Sequence, residues 1–251
     1  NASGEYYLTD IVGLARADGL SATAIACDEA ETLGINSRAE LAQAEAAYQA
    51  RARAEALQNG VALLAPDTVF FAYDTHLGRD AMVEQNVGFG PGVTVETGAR
   101  VRAFSHIEDA RIARDAVVGP FARIRGGAEI AEHVKIGNFV ELKNANLDAG
   151  VKVSHLSYIG DAHIGRETNV GAGTITCNYD GVMKHHTEVG ARAFIGANTM
   201  LVAPVTVGDE AMTASGSVIT KDVEEGSLAI ARGQQVNKPV LARKLMGLLK
   251  T

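Results

Sequence analysis

An aliphatic side chain recurs every six residues over more than half of the chain, and this spacing constrains the fold more than any other feature. Six residues match neither the period of an α-helix nor that of a half-buried strand. Hexapeptide repeats are typical of a parallel β-helix, so we predict a mainly β chain with that fold. With several shifts in phase, the repeat includes Leu77, Val83, Phe89, Val95, Val101, Ile107, Ile112, Val118, Ile124, Ile130, Ile136, Leu142, Leu147, Val153, Ile159, Ile164, Val170, Val189, Ile195, Leu201, Val207, Met212 and Val218.

Three such repeats would form one coil, and coils stacked about 4.8 Å apart would bury a continuous aliphatic core. Glycine often follows the aliphatic residue, as in Ile136-Gly137, and allows the chain to turn a corner. Roughly nine coils fit between Val61 and Val223. A β-sandwich of short strands is the alternative, but that fold gives no reason to keep a six-residue phase over this length.

The composition agrees with a narrow aliphatic core and excludes several classes of protein. The 251 residues include 47% hydrophobic residues, only 5% aromatic residues, 27 glycines and no tryptophan. A net charge of −7 argues against general nucleic-acid binding. We find no apolar run long enough for a membrane span and no secretory signal, so a cytoplasmic location is expected. Cys27 and Cys177 form neither a disulfide framework nor a zinc pattern.

The residues before the repeat have a different character. We predict a helix over 6–17, a short strand over 23–27 and a long helix over Arg38–Gln58, rich in strong helix formers. Ser37 and Glu40 form a capping box at the start of the long helix. We interpret this helix as a connector from a domain whose remainder lies outside the chain. The alternative is a helix that caps the solenoid.

Three domains follow from these patterns. Residues 1–60 are interpreted as the tail of another domain with its connecting helix, residues 61–228 as the β-helix, and residues 229–251 as a C-terminal strand and helix. We expect the strand at 229–232 and an amphipathic helix at 240–250. That helix could cap the open end of the solenoid, where unpaired strand edges are exposed, or pack on a neighbouring subunit.

The repeat has one main interruption, at residues 176–188, with the sequence TCNYDGVMKHHTE. A long loop in a regular scaffold is usually functional or disordered. We interpret this loop as functional because it contains Asn178, Tyr179, Lys184, His185 and His186.

Counting three core positions per coil places Ile124, Leu142 and Ile159 above one another. Arg125 follows the first and Lys143 follows the second. Two cations held one coil apart would repel each other unless an anion lay between them, and phosphate suits both side chains. Two solvated surface charges are the alternative.

The same count brings Tyr158 and His155 to the edge that carries Arg125 and Lys143. The ordinary pKa of histidine suits the removal of a proton from an amine or a hydroxyl group. His155 is therefore the candidate general base. A zinc site of the γ-carbonic anhydrase type would need three converging histidines, and the count does not stack His155, His163, His185 and His186.

Several segments resemble one known family. The run HLSYIGDAHIGRETNVGAGTITCNYDGVMKHHTEVG, at 155–190, strongly resembles the acetyltransferase half of the bacterial bifunctional N-acetylglucosamine-1-phosphate uridyltransferase/glucosamine-1-phosphate N-acetyltransferase. The segments PFARIRGGAEI, GNFVELKNA, LVAPVTVG and LAIARGQQ fit the same half. The segments GEYYLTDIVGLA and GINSRAELAQAE resemble the tail of the uridyltransferase domain.

The resemblance implies a left-handed β-helix, although parallel crossovers are generally right-handed, and a homotrimer. It implies that acetyl-CoA donates an acetyl group to the amine of glucosamine 1-phosphate. The product would feed the synthesis of UDP-N-acetylglucosamine for peptidoglycan and lipopolysaccharide.

The resemblance also implies individual roles. His155 fits the general base. The sugar-phosphate site would comprise Arg125, Lys143, Tyr158, Asn169 and Lys184, with Asn169 on a different face by our count. The contacts with acetyl-CoA would comprise Ala172, Asn178, Tyr179, Ala197, Ser215 and Arg232. Ala197 and Ser215 depart from the family pattern, which commonly has Ser and Ala at these positions.

Uridyl transfer in this family needs a glycine-rich nucleotide loop and an aspartate for Mg²⁺, and neither occurs in this chain. Only Asn36 fits a remaining Mg²⁺ ligand. We therefore expect the chain alone to be inactive as a uridyltransferase. Two other functions stay open: a hexapeptide acyltransferase for another nucleotide sugar or acyl thioester, and a non-enzymatic β-solenoid. The latter would show flat threonine ladders, which we do not see.

Overall fold

The structure, a computed structural model, describes residues 4–248, and the chain forms two compact units with the boundary between Tyr48 and Gln49. The first unit contains helix α1 (Asp10–Ala17), a 3₁₀ turn at Glu29–Glu31 and the start of helix α2 (Arg38–Gln58). Helix α2 has the predicted bounds.

The predicted strand over 23–27 is wrong. These residues form an exposed irregular segment, because no strand of the described part of the first unit is available to pair with it. Helix α1 begins at Asp10, four residues later than predicted.

The capping box at the start of α2 is present in a modified form. Ser37 Oγ accepts the backbone N–H of Glu40 at 3.2 Å, as a capping box requires. The Glu40 carboxylate accepts the N–H of Asn36 at 2.6 Å, one residue earlier than the standard pattern. Asn36 and Glu40 therefore both take part in capping the N-terminus of the helix.

The second half of α2 packs on the first coil of the solenoid, within the second unit. The side-chain amide of Gln49 is buried and bonds both the N–H and the C=O of Phe71, at 2.9 and 2.8 Å. Arg53 Nε donates to the carbonyl of Val69 at 3.0 Å. A helix that meets an open coil in this way covers its strand edges.

The remainder of the second unit is a parallel solenoid of about 9 turns with three faces. This confirms the mainly β, hexapeptide-repeat fold, and every strand pair is parallel. The first face holds β1 (Ala62–Leu63), β4 (Met82–Val83), β7 (Arg100–Val101), β10 (Val117–Val118), β13 (Lys135–Asn138), β15 (Lys152–His155), β17 (Asn169–Val170), β20 (Phe194–Ile195), β23 (Met212–Thr213) and β25 (Leu228–Ala229).

The other two faces meet at a corner where two strands continue around the bend. The second face holds β2 (Val69–Phe70), β5 (Val87–Phe89), β8 (His106–Ile107), β11 (Arg123–Arg125), the first halves of β14 (Glu141–Leu147) and β16 (Tyr158–Ile164), β18 (Ile175–Cys177), β21 (Met200–Val202) and β24 (Val218–Ile219). The third face holds β3 (His76–Leu77), β6 (Val93–Val95), β9 (Ala110–Ile112), β12 (Ala128–Ile130), the second halves of β14 and β16, β19 (Thr187–Val189) and β22 (Val205–Val207).

The inward rows form the core that the repeat predicts. Ile124, Leu142 and Ile159 lie directly opposite one another on successive coils, and all three are fully buried. Each buried aliphatic side chain of this size contributes roughly 1.5–3 kcal/mol. The stack confirms the count of three core positions per coil.

The last repeat is off by one residue from the prediction. Met212 and Val218 are 44% and 48% exposed, whereas Thr213 and Ile219 point inward. Thr213 pairs with Ile195, and its hydroxyl accepts the N–H of Gly196 at 3.0 Å. A satisfied hydroxyl can replace an aliphatic group in the core, so the hydrophobic pattern gave the wrong phase here.

The C-terminal segment is exposed. After β25 the chain continues to helix α3 (Leu241–Leu248), none of whose residues is buried, so α3 does not cap the solenoid of its own chain. Residues 249–250 of the predicted helix lie outside the described residues. Among the helices of residues 4–248, none has the length and apolar character needed to cross a membrane.

Candidate functional site

The predicted site residues lie along the second face of the solenoid and at the two corners that bound it. His155 ends β15 on the first face, and Tyr158 begins β16 on the second face. Lys143 pairs with Gly160. Gly160 follows His155 by five residues, so the two lie at most about 17 Å apart. The prediction placed all these residues at one edge, whereas they lie at two neighbouring edges with one narrow face between them.

At the first corner, His155 is exposed and its ring contacts Asn138. The two residues lie opposite each other on β15 and β13, and His155 Nδ1 is 2.8 Å from Asn138 Oδ1. An amide oxygen accepts hydrogen bonds, so this contact places the ring proton on Nδ1. The Nε2 atom then carries the lone pair that a general base needs.

At the second corner, the structure brings together the three predicted cations. Arg125 and Lys143 are opposite each other on β11 and β14. Lys184, which lies in the loop after β18, is close enough to Lys143 and Arg125 to be influenced by their charges. The contact between the two amines raises the pKa of Lys143 and lowers the pKa of Lys184. Like charges this close repel each other, and a bound anion between them would relieve the repulsion.

Two carboxylates share the corner with these cations. Arg125 Nη2 lies 2.7 Å from Glu141 Oε1, with both side chains 31% exposed. Lys143 Nζ lies 3.2 Å from Asp161 Oδ2, with the side chains 16% and 13% exposed. The corner therefore has three cations and two anions, an excess of one positive charge.

Tyr158 joins the second corner through its side chain. A methyl group at Gly160 would lie 2.4 Å from the Tyr158 hydroxyl oxygen, so the ring extends along the strand over Gly160 towards Lys143. Only glycine at position 160 leaves room for this ring position.

The interrupting loop emerges at the same corner, as the prediction of a functional loop requires. In the preceding coil β16 passes around this bend without a break, whereas the next coil is split into β18 and β19 with residues 178–186 between them. The loop is braced from within: Asp180 accepts the N–H groups of Val182 and Met183 and lies 2.7 Å from His185 Nε2. The hydrogen bond from His185 lowers the pKa of Asp180.

Four of the predicted acetyl-CoA residues form a column above His155. The register of β15, β17, β20 and β23 places Ala172, Ala197 and Ser215 in turn above it. Arg232 Nη1 donates to the carbonyl of Ser215 at 2.8 Å and so extends the column.

Asn169 lies on the first face, three residues before this column, as the count predicted. Asn178 and Tyr179 are not in the column. Asn178 is 7% exposed and its amide donates to Asp161, while the Tyr179 hydroxyl donates to the carbonyl of Gly181 within the loop.

Sequence reasoning missed three polar residues of these corners: Asn138, Glu141 and Asp161. Each lies one coil from a predicted site residue or beside it, so strand register contained the signal for all three. The positive-φ conformation of Asp161, at 48°, was a further sign of a corner that no simple spacing rule reveals.

The histidines named for a zinc site do not converge within one chain. His163 contacts Asp148 and Glu188, and His185 contacts Asp180. Within residues 4–248, no group of three or more His, Cys, Asp or Glu residues could hold a metal ion. Asn36 is exposed in the first unit, where its N–H donates to Glu40.

The comparison with known proteins first identifies the class of protein. Residues 109–144 and 186–221 match the bacterial transferase hexapeptide family, described by six repeats. These two segments are hexapeptide repeats of the bacterial transferase type, and the parallel coils make the chain a hexapeptide-repeat solenoid.

Similarity over the whole chain is more specific. The chain is 70% identical over 250 residues to the bifunctional protein GlmU of Ruegeria sp. (strain TM1040), with 100% of this chain and 56% of that protein covered. It is 64% identical over 250 residues to the bifunctional protein GlmU of Jannaschia sp. (strain CCS1), with 100% and 55% covered. Over its whole length, the chain matches the C-terminal part of these bifunctional GlmU proteins.

The chain spans about half the length of the curated relatives it matches. A solved structure of a UDP-N-acetylglucosamine acyltransferase aligns with a TM-score of 0.46 at 16% identity and covers 74% of this chain and 76% of that chain.

Proposed function

We propose that this chain transfers the acetyl group of acetyl-CoA to the amine of glucosamine 1-phosphate and forms N-acetylglucosamine 1-phosphate. The observation that carries the proposal is the cluster of Arg125, Lys143 and Lys184, which lies one narrow face away from His155. The whole-chain similarity to bifunctional GlmU proteins and the resemblance of residues 155–190 to an acetyltransferase support the same reaction.

The acceptor would lie on the second face between the two corners. A shallow cavity of about 400 Å³ lies on part of this face, lined by Phe121, Phe139, Glu141, Leu156 and Tyr158 among others and not by His155 or the three cations. The phosphate would bind the three cations at the second corner, because Arg and Lys match phosphate charge and geometry. The amine on the neighbouring carbon would then point along the face towards the corner of His155. Fixing the amine in this way supplies much of the rate through orientation alone.

The donor would lie along the column above His155. Ala172, Ala197 and Ser215 present backbone and small side chains there, which leave space for an extended thioester arm. Arg232 provides a cation for a phosphate of CoA. If the contacts are through the backbone, the departures from the family pattern at Ala197 and Ser215 do not affect binding.

The reaction balances with the groups at hand. The amine nitrogen attacks the thioester carbonyl carbon, a C–N bond forms, and the C–S bond breaks. Nε2 of His155 takes the proton that the amine loses, and the protonated imidazole gives it to the departing thiolate of CoA. Such base catalysis is typically worth about 10²–10⁴ in rate.

The test is the release of free CoA thiol with glucosamine 1-phosphate as acceptor, compared with other amino sugars, nucleotide sugars and longer acyl-CoAs. We expect glucosamine 1-phosphate with acetyl-CoA to give the highest kcat/KM. His155→Ala should lose at least about 10² in kcat and still bind both ligands. His133→Asn, at an exposed corner on another part of the solenoid, is the matched control. Preference for another acceptor or a longer acyl chain would instead identify a different hexapeptide acyltransferase.

We further propose that the chain assembles as a homotrimer. Phe104, Phe121 and Phe139 stack along the corner that carries His155, with centroids 4.9 and 5.2 Å apart. These rings are 45–55% exposed, and Leu156, in the same left-handed conformation, continues the stripe with 61% exposure. Contiguous exposed apolar surface of this kind is typical of subunit interfaces.

For the longer protein, we propose a second activity, the Mg²⁺-dependent transfer of a uridylyl group, with Asn36 as one metal ligand. The resemblance of the first sixty residues to the tail of that domain supports it. Mg²⁺ would be held by that domain and would neutralise phosphate charge there. The chain alone should form no UDP-N-acetylglucosamine from UTP. We place both activities in the cytoplasm, without nucleic-acid or membrane partners.

A further inference from the structure

Asp161 is the residue on which the contacts of the second corner converge. Its carboxylate accepts hydrogen bonds from Lys143 Nζ at 3.2 Å, from Asn144 Nδ2 at 2.7 Å and from Asn178 Nδ2. The side chain is only 13% exposed. A buried carboxylate with three donors is fixed in position.

The donors of these three bonds come from different parts of the site. Lys143 lies on β14 and belongs to the cation cluster, whereas Asn178 is the first residue of the loop that carries Lys184. Asn144 is opposite Asp161 at the same corner, and both have left-handed backbone angles, with φ of 48°. Asp161 is thus the carboxylate that joins the cation cluster to the base of the loop.

The charge of Asp161 suits this role. Burial raises the pKa of the carboxyl group, but the hydrogen bonds from Asn144, Asn178 and Lys143 outweigh it and lower the pKa below its usual range. The group is therefore an anion throughout the neutral pH range and acts only as a hydrogen-bond acceptor.

An obligate acceptor at this point determines the orientation of two side chains. It holds the ammonium of Lys143 at the mouth of the anion site. It also requires the NH₂ group of Asn178 to face inward, which leaves the amide oxygen of Asn178 directed away from Asp161. A neutral neighbour would hold both side chains less firmly, because hydrogen bonds to a charged acceptor are the stronger ones.

We propose that Asp161 is a positioning residue for the transfer reaction, which aligns Lys143 for the phosphate of the acceptor and, through Asn178, holds the base of the loop that carries Lys184. This inference rests on the proposed function. It assigns Asp161 no contact with either substrate, since the carboxylate is occupied by protein donors.

The test is the steady-state kinetics of Asp161→Asn, a change that removes the charge, keeps the shape and is compatible with the left-handed backbone. We expect the KM for glucosamine 1-phosphate to rise about tenfold or more, because a hydrogen bond to a charged group is lost. We expect the KM for acetyl-CoA to stay unchanged, because the donor column above His155 does not include Asp161 or its partners. Asp115→Asn, at an exposed left-handed corner elsewhere, is the matched control and should change neither value.

A double variant separates positioning from mere structural support. If Asp161 acts through Lys143, the effects of Asp161→Asn and Lys143→Met on the KM for the acceptor should be strongly non-additive. Additive effects on this KM would contradict the proposal. An Asp161→Asn variant with a lower Tm and similar losses in kcat and in both KM values would also contradict it. An active wild-type chain with an Asp161→Asn variant of unchanged KM values would refute this inference alone. A wild-type chain without acetyltransferase activity would refute the proposed function itself.

Discussion

Oδ1 of Asn138 lies 2.8 Å from Nδ1 of His155, and the two residues face each other on neighbouring strands of the first face. The pairing fixes the ring and leaves Nε2 as the proton acceptor. Because Asn138 and His155 lie opposite each other on parallel strands, the solenoid sets the orientation of the His155 side chain. The exposed corner residue that follows His155 does not set it.

Asn138→Ala should therefore lower kcat with little change in either KM. Without the amide oxygen the imidazole loses its preferred tautomer and orientation, and we expect a loss of about tenfold, a fraction of the whole contribution of the base. Initial rates at saturating concentrations of both substrates measure this effect. An unchanged kcat would show that Asn138 does not control the ring.

Gly160→Ala should impair binding of the acceptor by displacing Tyr158. The new methyl group would lie 2.4 Å from the Tyr158 hydroxyl, so the ring must move away from the second corner. We expect kcat/KM for glucosamine 1-phosphate to fall about as far as in Tyr158→Phe or further. Gly88→Ala is the matched control, since on the same face its methyl group would meet only the end of the His106 side chain, at 3.3 Å.

As the pH is raised, the KM for glucosamine 1-phosphate should begin to rise at a lower pH than the titration of an ordinary lysine would give. The contact with Lys143 and its charge lower the pKa of Lys184, so Lys184 loses its proton below the usual value of about 10.4. A neutral amine holds a phosphate dianion less well, which gives the sign of the effect.

Lys184→Arg checks the assignment, because arginine stays charged throughout this range. Its KM should remain flat to higher pH than that of the wild type, whereas the exposed control Lys221→Arg should follow the wild type. Coincident alkaline limbs for all three proteins would show that Lys184 does not bind the phosphate.

His163 should make stability depend on pH in a defined direction. Burial lowers the pKa of His163, but Glu188 and Asp148 raise it more, so the net pKa lies above its ordinary value. A raised folded-state pKa contributes stability that is complete below the ordinary value of about 6.5 and is lost as pH rises through the raised value.

The Tm difference between the wild type and His163→Gln should therefore be larger at pH 6 than at pH 9. His76→Gln, an exposed histidine on the same face, should show no such trend. A difference that is constant with pH would mean that the ion pairs of His163 do not contribute, as exposed pairs often do not.

Phe121→Glu should dissociate the proposed trimer. The ring lies between those of Phe104 and Phe139, and a charge in the middle of a buried apolar stripe would be left without a partner. Sedimentation velocity measures the change in mass. Phe70→Glu is the control and should leave the assembly intact. Phe70 is an exposed ring on the first coil, and its centroid lies 5.4 Å from the guanidinium of Arg53.

Most of the scaffold could be predicted, because its rules are local. The six-residue spacing gave the coils, the inward rows and the stack of Ile124, Leu142 and Ile159. The bounds of α2 followed from helix propensity. The phase failed only where Thr213 and Ile219 replaced the expected Met212 and Val218, since a threonine with its hydrogen bonds made can occupy the core.

By itself, the sequence determined the solenoid, the pairing of Arg125 with Lys143 and the interruption before β19, because each depends on the spacing of residues along one chain direction. Only the tertiary structure decided that His155 and Lys143 occupy neighbouring corners, and that Lys184 and Asn178 return to Lys143 and Asp161. The path of a loop is set by hydrogen bonds between distant residues, and no periodicity encodes those contacts.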